Sequence, residues 1–345
     1  MKIVSIFLIC LVLILHCEST STAPKETDAN GITEDLNPFE QNALLGRSIN
    51  LGNALEAPQE GAWGVTLDAS YFQLIKEKGF DGVRIPIRWS AHAEIDSPFT
   101  INKTFFSRVD WAIEQALQNN LTAVINIHHY VEIASNPEAH KQRFLGLWSQ
   151  IAERYANKPK QLFFEILNEP NDKFTPALWN VYLDEAIDVI RQSNPRRTLI
   201  VGTAEFGGLS ALEKLILPEA EQNLIVTFHY YNPFHFTHQG AEWVSGSDAW
   251  LGTTWHGTNQ EKIAITMDFD NARIWAQQNN RPLFMGEFGA YSQADMLSRF
   301  NWTNFVSREA EKREFSWAYW EFCAGFGIYD SDRGRWNELL DALIP

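Results

Sequence analysis

Two patterns alternate along the chain from residue 48 onward. Short runs rich in β-branched and aromatic residues are followed by longer segments in which apolar residues recur at helical spacing. The short runs predict eight strands, at 48–53, 82–87, 122–129, 162–169, 198–203, 225–231, 282–289 and 316–323. The periodic segments predict helices such as 67–79, 105–119 and 175–193, with N-cap signals at Thr66, Asp68 and Thr175 followed by Pro176. Strands that alternate with helices indicate a parallel sheet.

The number of strand–helix units predicts how this sheet closes. Eight units in about 300 residues match the size of a closed (β/α)8 TIM barrel. An open, doubly wound sheet is the alternative, but no glycine-rich fingerprint follows the first predicted strand. We therefore expect an α/β fold with one barrel domain over residues 38–345.

The first 37 residues predict export rather than a folded domain. The apolar run 3–15 is short for a membrane span and long enough for the hydrophobic part of a signal peptide, which we place at residues 1–22. Residues 23–37 are polar and predict a flexible tether. We expect a secreted or extracytoplasmic protein. Cys17 offers lipid anchoring as an alternative, although His16 is unfavourable directly before an acylated cysteine.

Composition narrows the class of partner. The formal net charge is -15 and no long basic run occurs, which argues against nucleic acid and anionic membranes. Thirteen tryptophans and 23 phenylalanines supply more flat aromatic faces than a core needs, and such faces bind sugars. No phosphate loop or Cys/His metal cluster is visible. We expect a neutral polymer as partner, no cofactor, no protein partner and a monomer.

Polar side chains converge on the predicted carboxyl ends of seven of the eight strands. Barrel active sites form at these ends. The residues concerned are Asn53, Glu56, Arg84, His128, His129, Asn168, Glu169, His229, Tyr231, Glu287, Trp320 and Glu321. One polar residue at a strand end usually marks only a solvated boundary, but convergence from seven strands predicts a site.

Two glutamates suggest what this site does. Glu169 ends the fourth predicted strand and Glu287 ends the seventh, so their carboxylates face each other across the barrel mouth. Two facing carboxylates suit glycosidic bond cleavage. Arg84 would hold Glu287 ionised, and Glu165 would be an interior hydrogen-bonding residue. We predict no metal, because the side chains of adjacent strand residues such as His128 and His129 diverge.

Seven segments in order carry a family resemblance. They are NLGNALEAP, VRIPIRWSAHA, INIHHY, FFEILNEP, HYYNPFHFTHQGAEW, GEFGAY and WAYWEF. Together they resemble glycoside hydrolase family 5, and most of all its Thermotoga-type bacterial endoglucanase and mannanase group. The resemblance covers about residues 38–345.

The resemblance implies a role for each residue. Glu169 corresponds to the general acid/base and Glu287 to the nucleophile, at the carboxyl ends of strands 4 and 7. The residues that support them or bind substrate are Arg84, His128, His129, Asn168, His229, Tyr231, Trp320, Asn53, Glu56 and Trp243.

The expected function is a retaining endo-β-1,4-glucanase that acts on soluble or amorphous β-glucans. A β-mannanase, or an enzyme that cleaves both glucan and mannan, is the alternative within the class. A non-catalytic carbohydrate-binding barrel is the alternative from another class, and the presence of both glutamates disfavours it.

Overall fold

The structure is a computed structural model that describes residues 37–345. The predicted signal peptide and almost all of the predicted tether lie outside these residues. The strands are β1 (Arg47–Asn50), β2 (Gly82–Ile85), β3 (Thr122–Asn126), β4 (Leu162–Glu165), β5 (Leu199–Gly202), β6 (Leu224–Tyr230), β7 (Leu283–Phe288), β8 (Ser316–Tyr319), β9 (Tyr329–Asp330) and β10 (Arg335–Trp336). Strands β1 to β8 form a closed parallel barrel in sequence order, and β9 pairs with β10 as a small antiparallel hairpin. The predicted fold is confirmed.

Helices connect the barrel strands, except that the first helix precedes β1 and the last follows β10. They are α1 (Pro38–Leu45), α2 (Ala69–Glu77), α3 (Lys103–Gln118), α4 (Val131–Ser135), α5 (Pro137–Arg154), α6 (Pro176–Arg191), α7 (Ala204–Gly207), α8 (Phe234–Thr237), α9 (Asn259–Asn279), α10 (Met296–Glu311) and α11 (Leu339–Leu343). Between residues 37 and 345, no helix is both long and apolar enough to cross a membrane.

Two of the predicted N-caps hold their helices. The Asp68 side chain accepts a hydrogen bond from the Ser70 N–H at the start of α2, and the Thr175 hydroxyl accepts one at the start of α6. Thr66 lies outside α2 and does not cap it. Each cap satisfies a backbone N–H that the first turn of a helix leaves without a partner.

The strands end earlier than their apolar runs predict. The predicted strand 162–169 ends as β4 at Glu165, and the predicted strand 122–129 ends as β3 at Asn126. The apolar run continues because the next residues, Ile166 and Leu167, are buried in the core although they no longer belong to the strand. The polar residues that follow are therefore carried by loops.

The inside of the barrel is divided into an apolar floor and a polar mouth. The floor is a separate buried cluster, consisting of Leu45, Val124, Phe163, Ile200, Ile225, Phe284 and Ala318. Side chains two positions apart on a strand share a face. Asn126 therefore lies above Val124 and Glu165 lies above Phe163, one layer nearer the carboxyl ends of the strands. The floor supports the groups that form the site.

Truncating Phe163 should destabilise the fold. Phe163 is fully buried in the floor, and we expect Phe163→Ala to lower the free energy of unfolding by about 3–5 kcal/mol, because the cavity it leaves cannot close completely. Denaturant unfolding measures this loss. Leu297→Ala is the control, since Leu297 is 70% exposed on α10 and should change stability by less than about 0.5 kcal/mol. Equal losses in the two variants would contradict the packed floor.

Candidate active site

Arg84 is the hub of the polar mouth. Its Nε and Nη2 atoms donate to the two carboxylate oxygens of Glu165 at 2.6 and 2.7 Å. Nη1 donates to Asn50 Oδ1 at 2.8 Å and to Glu287 Oε1 at 2.7 Å, and Nη2 also donates to Asn168 Oδ1 at 2.7 Å. A guanidinium has five N–H groups, so all of them are used. Arg84 therefore orients four side chains from four strands or loops.

Arg84 and Glu165 stabilise each other in their charged forms. Burial by itself lowers the pKa of Arg84, but the carboxylates of Glu165 and Glu287 outweigh burial and raise the pKa above its usual value. Burial raises the pKa of Glu165, and the Arg84 charge overcomes this and lowers the pKa below its usual value. Glu165 is an interior hydrogen-bonding residue, as predicted, and it shares the charge of Arg84 with Glu287.

Glu287 is held at both of its oxygens. It lies within β7, where the register against β6 shifts between Phe228 and His229 and pairs His229 with Glu287. Oε1 accepts from Arg84, and Oε2 accepts from the Tyr231 hydroxyl at 2.9 Å. Burial and the charge of Glu287 raise the pKa of Tyr231 well above its usual value, so the phenol keeps its proton and remains a donor. The Glu287 carboxylate is thus fixed in orientation.

Glu169 reaches the site from a loop. It follows the last residue of β4 by four positions and has a φ of 45°, in the left-handed region that glycine normally occupies. The Asn168 N–H donates to the Ile127 carbonyl at 2.9 Å, and the Asn171 side-chain amide donates to the Glu169 carbonyl at 2.7 Å. These bonds hold the backbone in that conformation. The side chain is 27% exposed, so the carboxyl faces the open cleft.

His229 joins the two glutamates. Its Nδ1 lies 2.7 Å from Glu169 Oε1 and 3.6 Å from Glu287 Oε2. One oxygen of each glutamate and a ring nitrogen of His229 all lie within 4.8 Å of one another. Burial lowers the pKa of His229, but Glu287 and then Glu169 outweigh burial and raise it above its usual value. The imidazole therefore tends to carry positive charge between two carboxylates.

Trp320, which follows β8, and His128, which follows β3, meet at the mouth. Their rings are stacked, with centroids 5.8 Å apart and planes inclined by 8°. The Asn126 amide nitrogen donates to His128 Nδ1 at 3.1 Å, so Nε2 carries the ring hydrogen. Burial lowers the pKa of His128 well below its usual value and lowers the pKa of His129 to about 4. Both imidazoles are neutral hydrogen-bonding groups at neutral pH.

Glu56 differs from the expectation that it lines the cleft. It is fully buried, and its carboxyl oxygens accept hydrogen bonds from the backbone N–H groups of Asn53 and Ala54. The loop after β1 folds over its own glutamate, and a fully buried carboxyl cannot touch a substrate. Asn53 is half-buried at the mouth, so Glu56 acts on the site through the position of Asn53.

A second buried carboxyl lies near Glu56. Glu321 is fully buried after β8 and accepts from the backbone N–H groups of Cys323, Ala324 and Phe326. Burial raises the pKa of Glu56 from 4.5 to about 8 and the pKa of Glu321 from 4.5 to about 7. The two groups are protonated over a wide range of pH.

Trp243 is 61% exposed in the long segment between β6 and α9. Its indole packs edge-on against Tyr291 at 5.0 Å and lies 6.5 Å from His238. His238 in turn contacts Tyr231 at 4.9 Å. Trp243 is therefore two ring contacts away from the residue that binds Glu287, at the rim rather than at the centre of the site.

Sequence reasoning missed two asparagines that complete the mouth. Asn50 accepts from Arg84 and donates to backbone carbonyls of β7 and β8. Asn126 accepts from the Ile87 N–H at 3.2 Å and donates to His128. A polar residue inside an otherwise apolar predicted strand was the available signal. Both asparagines are fully buried, so they position other residues rather than contact a ligand.

The atoms of Glu169, His229 and Glu287 are close enough together for one metal ion to touch all three. Two carboxylates and one imidazole are a ligand set that zinc accepts. However, Glu287 is already paired with the Arg84 cation at 2.7 Å, and the His229 imidazole already lies between the two carboxylates, so both carboxylates have partners without a metal ion. The expectation that no metal takes part remains a prediction.

A closed (β/α)8 barrel that brings two carboxylates together at the carboxyl ends of its strands is typical of glycoside hydrolases. The chain belongs to one particular family of this class. Residues 44–325 match the Cellulase family, glycosyl hydrolase family 5, and this confirms the family that the sequence motifs predict.

Individual relatives give the same result. The chain is 35% identical to Endoglucanase H of Acetivibrio thermocellus over 94% of its own length, but spans only about a third (35%) of that longer protein. It is also similar to solved structures of Thermotoga maritima Cel5A in complex with cellobiose and with mannotriose. In each case the identity is 57% and the TM-score 0.88, over 89% of this chain and 100% of the other.

The buried carboxyl of Glu56 should make stability depend on pH. Glu56 keeps its proton up to about pH 8 in the folded protein, whereas an unfolded glutamate loses it near 4.5. Between these values the folded state binds more protons, so the free energy of unfolding falls as pH rises. We expect the wild-type Tm to fall between about pH 5 and pH 8. In Glu56→Gln, which has no proton to lose, the decline should be shallower.

Glu153→Gln is the control for this measurement, because Glu153 is an exposed glutamate of α5 and its replacement should leave the slope unchanged. Thermal unfolding of the three proteins at a series of pH values gives the comparison. A slope in Glu56→Gln as steep as that of the wild type would show that Glu56 is ionised in the folded protein.

Proposed function

We propose that the chain is a retaining endo-β-1,4-glucanase that hydrolyses internal links of soluble or amorphous β-glucans. The observation that carries the proposal is the short distance between Glu169 and Glu287, whose nearest oxygens lie within 4.8 Å. Retaining glycosidases place their carboxyl groups about 5–5.5 Å apart, and inverting ones about 6.5–9.5 Å apart to admit a water molecule. The short separation in this chain favours the retaining arrangement.

The surroundings of the two glutamates assign their roles. Glu287 is only 7% exposed in its side chain and is bound by Arg84 and Tyr231, which suits a fixed, ionised nucleophile. Glu169 is more exposed and borders the open cleft beside His229, which suits a group that exchanges protons. Two identical side chains thus receive different tasks from different environments.

The reaction then takes two steps. Glu169 gives its proton to the glycosidic oxygen while a carboxylate oxygen of Glu287 bonds to the anomeric carbon, and the bond to the leaving sugar breaks. In the second step a water molecule attacks the same carbon, Glu169 takes the water's proton, and the bond to Glu287 breaks. Both steps invert the carbon, so the product keeps the original β configuration.

The Trp320 indole and the Asn168 amide position the sugar at the cleavage point. The half-buried Trp320 indole provides a flat face for the sugar ring. Arg84 binds Asn168 Oδ1, so Asn168 presents its Nδ2 hydrogens to the cleft and acts as a donor. A donor of this kind binds the 2-hydroxyl in either epimer, because every hydroxyl oxygen accepts hydrogen bonds.

A dual glucanase and mannanase is the second candidate. The structure of Thermotoga maritima Cel5A, at 57% identity, is known with both cellobiose and mannotriose. Glucose and mannose differ at C2, and in this chain the group assigned to that hydroxyl is the adaptable Asn168 donor. A non-catalytic carbohydrate-binding barrel is disfavoured, because such a protein would not need Arg84 and Tyr231 to orient a carboxylate.

We also propose that the protein acts outside the cytoplasm, as a monomer. The support for export is the apolar run 3–15 and the polar segment 23–37, and Cys17 remains the alternative site for a lipid anchor.

Azide rescue separates the two catalytic roles. With an activated aryl β-glycoside, Glu287→Ala should be inactive until azide is added and should then form the α-glycosyl azide, because azide performs a single displacement. Glu169→Ala should form the β-glycosyl azide, because azide attacks the glycosyl-enzyme in a second displacement. NMR of the products identifies the anomers. The control is Glu287→Gln, which should bind oligosaccharide without cleaving it. Products exchanged between the two alanine variants would reverse the assignment.

A panel of polysaccharides tests the substrate class. We expect the fastest release of reducing ends from mixed-linkage β-glucan and carboxymethylcellulose, measurable release from glucomannan, and slower release from pure mannan. Glu287→Gln at the same concentration gives the background. Release from mannan that exceeds release from every glucan would favour the mannanase, and no release from any of these polymers would contradict the proposal.

A further inference from the structure

Trp63 has an exposed indole and no role in the site described so far. Six other tryptophans are among the largest fully buried side chains, namely Trp89, Trp148, Trp179, Trp255, Trp302 and Trp317. Trp63, in the loop between β1 and α2, is 41% exposed. Burial of a large apolar side chain stabilises the folded protein, and the exposed Trp63 indole contributes little of this stabilisation.

The loop holds this indole in place. Gly61 and Gly64 flank Trp63 with φ values of 86° and 87°, a backbone conformation that favours glycine. The Gly61 N–H donates to the Val65 carbonyl and the Gly64 N–H donates to the Gly61 carbonyl, both at 3.0 Å. The turn therefore presents Trp63 outward from a hydrogen-bonded frame.

The same loop is anchored to the body of the barrel. The carboxylate of Glu60 accepts from the Leu67 N–H at 2.8 Å and forms an ion pair with Arg108 of α3 at 2.7 Å. Glu56 holds the preceding part of the loop from within. A side chain carried by such a loop loses little conformational freedom when a ligand binds, which favours affinity.

Ring contacts connect Trp63 to the centre of the site. Its indole lies edge-on to His129, with centroids 5.4 Å apart and planes inclined by 77°. His129 contacts His128 at 4.5 Å, and His128 stacks with Trp320 at 5.8 Å. An edge contact with one imidazole leaves at least one face of the indole uncovered. Trp63 therefore lies at the rim of the cleft, three ring contacts from the Trp320 indole on which the sugar at the cleavage point is proposed to stack.

The order of the strands indicates on which side of the cleavage point this rim lies. Glu169, the proposed proton donor to the leaving sugar, follows β4, and its partner His229 belongs to β6. Trp320, Trp63 and His129 follow β8, β1 and β3. With Glu169 as the proton donor, the leaving part of the chain is expected over β4 to β6, and the part that stays bound to the enzyme over β8 to β3.

We propose that Trp63 forms a distal subsite that stacks on one sugar of the bound β-linked hexose chain, on the non-reducing side of the cleavage point. This inference rests on the proposed function. Stacking uses the C–H face of a pyranose ring and not the direction of one hydroxyl. The subsite therefore serves glucan and mannan chains alike, in contrast to the polar groups nearer the cleavage point.

Aryl β-glycosides of cellobiose, cellotriose and cellotetraose test this directly. The aryl group occupies the leaving side, so every added glucose extends the chain on the non-reducing side. For the wild type we expect kcat/KM to rise along the series. Trp63→Ala should lose the increase at one step, by about three- to tenfold, as expected for one aromatic stacking contact. Its kcat/KM on the cellobioside should match that of the wild type, and Trp63→Phe should keep most of the increase.

Phe39→Ala is the matched control. Phe39 is 45% exposed, but it lies on α1 at the amino ends of the strands, away from the cleft. This variant should follow the wild type at every chain length. A loss in Trp63→Ala that is equal on all three substrates, a loss seen only with chains extended on the leaving side, or no loss at all would overturn the subsite. A wild type inactive on every aryl glycoside would instead contradict the proposed function.

Discussion

The buried guanidinium of Arg84 is the interaction on which the site depends. Removing a cation from water costs several kcal/mol, and this cost is offset only when every hydrogen is bonded and an opposite charge is close. Arg84 meets both conditions through Glu165, Glu287, Asn50 and Asn168. A lysine has three donors on a flexible stem and could not connect four groups in one plane. The planar fork is therefore what converts residues from separate strands into one rigid arrangement.

The environment also explains how two glutamates of equal chemistry are distinguished. Glu287 receives one donor at each oxygen, from Arg84 and Tyr231, and lies within β7 where the register against β6 shifts. Glu169 lies on a loop in a left-handed conformation and has the imidazole of His229 as its partner. Glu287 is fixed by Arg84 and Tyr231, whereas Glu169 is bound by His229, which can exchange protons. The asymmetry follows from the position along the chain, not from the residue type.

Much of the fold followed from the sequence, because each strand and helix has its own hydrophobic period and the barrel follows from their alternation. The ends of the strands did not, since Ile166 and Leu167 are buried although they lie beyond the last residue of β4. The sequence also predicted which residue types lie at the mouth, but it did not predict that the Glu56 side chain is buried under its loop. Its burial depends on the path of a loop that hydrophobic periodicity does not encode.

The first helix has a consequence for how the protein meets its surroundings. Leu45, at the end of α1, belongs to the apolar floor, and the Asn42 side chain binds the first residues of β7 and β8. Helix α1 thus closes the end of the barrel opposite to the cleft. The described part of the chain therefore begins on the face opposite the mouth. A fusion partner joined directly at Asn37 would therefore start on the side of the barrel away from the cleft and leave the cleft open to a polymer.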